Sequence, residues 1–458
     1  MAAFPVPSRT PARRAPPEEP VPQIRPFRAL RFRPEAVGDV STVISPPYDV
    51  IAPDEHRRLL ELSPRNVVRL DLPATEPGDA PDDRYRRAAR VLAEWRSDGT
   101  LAKDPRPSLY AYEQRYTVPG GDEVRTQRGF FGRVRLESFG PAGGILPHER
   151  TLAAPREDRY RLLKATGVNT SPVVGLFADR AGSSREVLDA ISGDVPQIDV
   201  VDPDRTRHRV WVIPDDGEDE GSVERLRAAV ADGPITIADG HHRYETALRY
   251  RDERRMSRSC EEDPAFDYVL MLLLDAVHQP LTVLPTHRVA RGIGEDGVGR
   301  LCAGLRELFE ARPASGAELV SAFSPATPGG DQPQFGLWTR AGGSVLTARP
   351  RAFDALPIEG GEAVRRLGVT VVGSALEQLA GIDRTAIADG RLGFTRSAAE
   401  AIAAVDGGVE AADVAFLLQA TPVADVLEVA AQGDVMPQKS TYFHPKAASG
   451  LVINPLEW

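Results

Sequence analysis

Cysteine is nearly absent from this 458-residue chain, in which Cys260 and Cys302 are the only two. A disulfide framework and a four-thiolate metal site are both excluded, and a reducing compartment is the simple expectation. Lysine is scarce as well. Of 56 basic residues only Lys103, Lys164, Lys439 and Lys446 are lysines, so each stands out against arginine, and two of them share an eight-residue stretch near the C-terminus. No apolar run approaches the roughly 18 residues that span a bilayer. The longest, Tyr268 to Leu274, is ended by Asp275. The first residues lack the apolar core of a secretory signal, and a cytoplasmic protein is expected. The net charge of −10 argues against non-specific binding to nucleic acid or anionic membranes. There is no G-x-S-x-G elbow to suggest a serine hydrolase. No H-x-x-x-H or C-x-x-C spacing accompanies His148, His241, His242 and His287, so zinc is not expected.

What is present fits a multi-domain α/β protein, since 458 residues exceed one compact domain. Residues 1–22 hold seven prolines and little periodicity, the mark of a disordered tail. An N-terminal α+β domain is expected over 23–140, with a helix near Arg84 to Trp95 and strands at 108–117 and 129–139. A core follows over 141–290, with strands at 171–177 and 235–238. It is interrupted by an acidic insertion at 178–233. Residues 291–432 alternate helical and strand patterns and read as a further α/β domain, and 433–458 form a C-terminal segment returning to the site.

The stretch Ile235–Glu245, ITIADGHHRYE, organises the rest. Ile235 to Ala238 is short, apolar and β-prone, Asp239-Gly240 is a turn pair, and Tyr244, Ala247, Leu248 and Arg251 recur at helical spacing. Strand, tight turn and helix start bring free backbone N–H groups and the positive helix end together, a ready anion site. Gly240, His241, His242 and Arg243 are therefore candidate phosphate-binding residues. Asp239 is a candidate for proton transfer or for holding Mg²⁺, because magnesium takes carboxylates together with substrate phosphates. Helix capping is its structural alternative.

Two other motifs are near misses. Gly433–Ser440 almost spells a P-loop, but Gln438 replaces the second glycine and Pro437 stiffens the loop, so a Walker A assignment fails. Lys439 remains a candidate point charge for phosphate, with Ser440 and Thr441 as hydroxyl donors. Gly292–Gly297 fits G-x-G-x-x-G only formally, because Glu295 and Asp296 would face the pyrophosphate. Arg288, just past a strand end, lies on the usual ligand side of an α/β sheet. Glu149 is the candidate general base, a carboxylate able to take the proton of an attacking hydroxyl.

The Asp239–Arg243 box resembles the DGHHR form of the free-serine kinases, within the ParB/sulfiredoxin-like folds. Nearly end to end, the chain also resembles a bacterial family known as domain of unknown function 1015. The segments that carry this are ISPPYDVI (44–51), NVVRLDLP (66–73), GILPHERT (144–151), DGHHRYETA (239–247), LTVLPTHR (281–288) and MPQKSTYF (436–443). The box resemblance implies a ParB/sulfiredoxin-like nucleotide-binding core at 141–290, flanked by the additional α/β domains. It implies ATP or another nucleotide with Mg²⁺, and phosphoryl transfer to a small hydroxyl substrate, free L-serine first. In such kinases an acidic residue, a helix and a strand precede the box, the order found here from Glu149 onward. The alternative is a ParB-like nucleotide-binding regulator without turnover. Nucleic acid and membrane partners are not expected, and oligomeric state is left open.

Overall fold

The computed structural model describes residues 22–140, 143–149, 153–215, 220–257, 262–325, 334–383, 385–407 and 411–457. The proline-rich tail up to residue 21, most of the acidic run at 215–220, and Cys260 lie outside them. The fold is α/β, built on one large mixed sheet and a smaller antiparallel one.

The large sheet has nine strands. Its centre is Tyr268–Asp275, which pairs parallel with Val173–Phe177 and antiparallel with Val124–Arg135. Every residue of Tyr268–Asp275 and of Val173–Phe177 is buried. That explains their continuous apolar runs, because a strand covered on both faces has no polar side to show. Ile235–Asp239 pairs antiparallel with Val173–Phe177 and parallel with the short strand Ile145–Leu146. On the other side, Ser108–Thr117 and Arg207–Pro214 extend the sheet to Ile198–Val201.

One expectation changes here. The boundary near residue 140 does not divide the sheet, since strands from 108–135 and from 173–275 form one ladder. The stretch 178–233 contributes two strands, which form an edge of that ladder. Sequence order hid the shared sheet: the hairpin Ser108–Thr117/Val124–Arg135 lies between strands that follow it in the chain. The second strand of that hairpin also begins earlier than expected, at Val124.

A six-stranded antiparallel sheet follows, ordered Phe309–Ala314, Gly342–Ala348, Gln334–Thr339, Val414–Leu418, His287–Ala290 and Leu392–Thr395. The strand Val414–Leu418 shows the two-residue alternation directly. Val414, Phe416 and Leu418 join the main core, while Ala415 and Leu417 join a second cluster with Leu319, Ala401 and Val405. Among the described residues no helix is long and apolar enough to cross a membrane.

The C-terminal segment straps both sheets together. Tyr442–His444 pairs with Thr282–Leu284, Ser449 N–H donates to Ser45 O at 2.8 Å, and Asn454–Pro455 pairs with Val168–Asn169. Ala447, Ala448, Leu451, Val452 and Ile453 are buried in the main core. Arg133, 1% exposed, donates from Nε to Asn454 Oδ1 at 2.6 Å and from Nη2 to Glu457 O at 2.9 Å. Arg133→Met keeps the apolar bulk but leaves these buried acceptors without donors. It should cost roughly 2–4 kcal/mol in urea denaturation. A loss below about 0.5 kcal/mol, no more than an ordinary surface change, would show that the strap is anchored elsewhere.

Candidate functional site

The expected strand–turn–helix is present: strand Ile235–Asp239, then Gly240, then the helix His241–Ser257. Gly240 has φ +89°, and a Cβ there would come within 3.0 Å of the Arg243 guanidinium. Glycine is therefore required twice, by the left-handed turn and by the side chain folded over it. Arg243 reaches back to Asp239 Oδ2 at 2.5 Å and also donates to Pro172 O.

Asp239 is the electrostatic centre. Its Oδ1 accepts from Lys446 Nζ and its Oδ2 from Arg243. Burial opposes its charge, but Lys446 and Arg243 outweigh that and hold the carboxyl well below the usual carboxylate range. Burial likewise opposes the charge of Lys446, and Asp239 with Asp49 keeps it firmly protonated.

A cavity of about 510 Å³ opens over this cluster. Four parts of the chain line it: Tyr48–Val50, Glu149 with Ala238–Arg243, Thr286 with Phe394–Arg396 and Glu400, and the strap residues Gln438, Lys439, Thr441, Tyr442 and Lys446. Residue 149 bridges to Met436, and Met436 N–H donates to His148 O at 2.8 Å, so the strap lies directly beside the Glu149 loop. Lys439 adopts φ +58°, rare for a side-chain-bearing residue. Its backbone N–H bonds to the Glu149 carboxylate. Burial pushes that carboxyl above its ordinary range, and the N–H and charge of Lys439 only partly offset it.

Two histidines meet under the helix start. His148 donates from Nδ1 to Ile237 O and accepts at Nε2 from the Thr441 hydroxyl at 2.9 Å. Its backbone N–H donates to His241 Nε2 at 3.3 Å, and the two rings lie 4.7 Å apart. Burial lowers His148 to about 4 and takes His241 well below its ordinary value. These are neutral hydrogen-bonding imidazoles at neutral pH. Burial also lowers His242 at the cavity wall, against the charge of Glu245.

Of the expected site residues, Glu149, Asp239, Gly240, His241, His242, Arg243, Lys439 and Thr441 all line the one cavity. Arg288 and Ser440 do not. Arg288 lies behind the wall, with its Nη1 on Thr286 O at 2.9 Å and its guanidinium 4.7 Å from the Phe394 ring centre. Ser440 turns its hydroxyl to Pro437 O at 2.5 Å and stabilises the loop instead. Asp239 does not fit as a magnesium ligand, because both its oxygens are held by cations. Among the described residues no group of three or more His, Cys, Asp or Glu is placed to hold a metal.

Lys446, Arg396 and Glu400 were not foreseen as site residues. The rarity of lysine was the signal available for Lys446. Arg396 and Glu400 flank the N-cap Ser397 of the helix Ala398–Asp406, whose side chain accepts from the Glu400 N–H. Among the described residues, three cavity-lining side chains carry a buried polar atom without a hydrogen-bond partner: Arg243 Nε, Thr286 Oγ1 and Gln438 Oε1.

Fold and cavity together define an α/β protein with an anion-suited pocket at a strand-to-helix turn. The chain belongs to the family described as "Protein of unknown function (DUF1015)", which it matches over residues 24–370. No curated protein matches it. A free serine kinase in complex with AMP aligns at a TM-score of 0.34 and 14% identity, over 66% of this chain and 83% of that one. A conserved hypothetical protein from Pyrococcus furiosus aligns at 0.33 and 14%, over 66% and 87%. SbnI with a C-terminal truncation, from Staphylococcus aureus, aligns at 0.36 and 11%, over 71% and 87%.

The neutral His148 makes stability depend on pH with a definite sign. Its folded value is about 4 against an ordinary 6.5, so below pH 6.5 the unfolded chain takes up a proton that the folded chain refuses. Stability is therefore lost as pH falls from 7 towards 4. Between pH 7 and pH 5 this one group should account for roughly 2 kcal/mol. His148→Gln should shrink the difference in urea-unfolding free energy between those two pH values by about that amount. An unchanged difference would show that His148 is not held neutral.

Proposed function

We propose that this cavity transfers a phosphoryl group from ATP or another nucleotide to a small hydroxyl substrate. The observation that carries the reading is the Glu149 carboxyl, raised by burial, in one cavity with Lys439 and the helix start at His241. Lys439 has no ion-pair partner among the described residues, so its charge is available to a ligand. About 510 Å³ lies within the usual range for a small-molecule site of roughly 300–1,000 Å³.

In this scheme Gly240, His241 and His242 present N–H groups to the phosphate chain, and Lys439 supplies a fixed positive charge. Lys446 and Arg243 bracket Asp239, and Asp49 faces both cations from the same cavity. Thr441 is held by His148 and offers its hydroxyl oxygen at the wall. Glu149 takes the proton of the substrate hydroxyl as its oxygen bonds to the terminal phosphorus. The bond from that phosphorus to the bridging oxygen breaks, and the departing nucleotide keeps the electron pair. The resemblance of the Asp239–Arg243 box to free-serine kinases makes L-serine the first acceptor to test, and the same reading takes the core as ParB/sulfiredoxin-like.

The purified protein, incubated with ATP, ADP or CTP, Mg²⁺ and a pool of hydroxy amino acids, should yield a phosphorylated acceptor detectable by mass spectrometry. Nucleotide binding without any such product would favour the regulator. Glu149→Gln should lower turnover by roughly 10²–10⁴ while nucleotide affinity stays near wild type, because only the transition state needs the proton acceptor. Full turnover in that variant would remove Glu149 from the mechanism.

A further inference from the structure

The cavity has two unlike walls. The core wall groups Arg243, Lys439 and Lys446 with Asp49, Glu149 and Asp239 around the helix start at His241. The wall from the six-stranded unit holds Thr286, Phe394, Thr395, Arg396 and Glu400. It carries one cation and one anion.

We propose that this second wall selects the acceptor, and that the acceptor is a small hydroxy amino acid bound as a zwitterion. Its carboxylate is taken by Arg396 and its ammonium by Glu400. The proposal rests on the phosphoryl-transfer reading for the acceptor's role, but recognition itself is a binding event and is tested as one.

Three observations support it. Arg396 has no ion-pair partner among the described residues; its guanidinium rests 4.4 Å from the Tyr442 ring centre. A guanidinium presents a planar fork that matches a carboxylate, and the ring holds it in place. The same ring lies 4.4 Å from Lys446 Nζ, so Tyr442 stands between Arg396 and the phosphate-side cluster. Second, Glu400 is fixed without being neutralised. Its Oε2 accepts from Thr395 Oγ1 at 2.5 Å, and its backbone N–H donates to the Ser397 cap at 3.2 Å. Although Arg396 and Glu400 are four residues apart, they form no ion pair with each other. Third, Thr286 and Thr395 line the same wall, so it offers polar as well as charged groups to a ligand.

The test is calorimetric binding to the ADP-loaded full-length protein of L-serine, L-threonine and L-homoserine, with ethanolamine and glycerate as controls. Ethanolamine lacks the carboxylate and glycerate lacks the ammonium. At least one hydroxy amino acid should bind, and both controls should bind at least about 10-fold more weakly, since a site built for a polar group rejects ligands without it. Arg396→Gln should abolish the preference over ethanolamine, and Glu400→Gln the preference over glycerate, both with ADP affinity unchanged. A merely structural role would weaken every ligand alike and lower the melting temperature. The proposal is overturned if no hydroxy amino acid binds, if the controls bind equally well, or if either variant weakens ADP instead. Selective binding with no phosphorylated product would leave it standing while removing the kinase reading. Product formation with discrimination intact in Arg396→Gln would do the reverse.

Discussion

The structure depends on keeping one carboxylate charged where water is scarce. Asp239 closes the strand Ile235–Asp239, and its side chain is only 13% exposed. A buried carboxylate of this kind is costly unless its oxygens are all answered. Arg243 answers one from a single helical turn away, which any local stretch can arrange. Lys446 answers the other from 207 residues further along the chain. Removing Lys446 would leave a half-paired charge, so the C-terminal strap is part of the site's electrostatics and not a tail laid over it. The remaining clasps, at Met436, Ser449 and Asn454, hold the strap in the one register that delivers Lys446 to Asp239.

That dependence explains what could be read from the sequence. The strand, the Asp-Gly turn and the helix start at His241 were legible because each is set within a few residues: apolar β-formers, a glycine able to take φ +89°, then helical spacing. Glu149 and Lys439 were legible as members of one site, but not as direct neighbours. Their contact depends on Lys439 holding a left-handed backbone, and nothing in MPQKST announces one. Arg288 was misplaced for a related reason. Its position past the strand at 281–284 suggested a ligand, but a new strand begins at His287, and Arg288 lies inside it opposite Phe394. The boundary near residue 140 failed because sheet order is a long-range property. A hairpin can be followed in the chain by strands that pair on either side of it, and hydrophobic pattern alone does not report which.

The neutral histidines show how the site economises on charge. Burial keeps His148 and His241 neutral. The His148 ring links Ile237 O to the Thr441 hydroxyl, and its backbone N–H donates to His241 Nε2. Such links fix orientation at little electrostatic cost, because both His148 ring nitrogens are paired in one tautomer. The permanent charge falls to arginine and lysine. In a chain with four lysines, the placement of two of them at this cavity is then a matter of chemistry: an ammonium on a flexible stem can turn between Asp239 and a ligand oxygen, while the Arg243 fork is already committed to the strand and the turn.

Two carboxylates of the core wall, Asp239 and Glu149, complete the picture by moving in opposite directions. Both suffer burial. Asp239 is overcompensated by Lys446 and Arg243 and stays ionised, a counter-ion with little appetite for protons. Glu149 is undercompensated by one backbone N–H and by Lys439, so its affinity for a proton is increased. When environments push two like groups apart in this way, the roles of base and electrostatic anchor follow from the environments and not from the residue type. Asp239, though it stands inside the recognisable box, is the poorer base. The weaker-looking Glu149, in a loop of unremarkable composition, is the group whose surroundings raise its affinity for a proton.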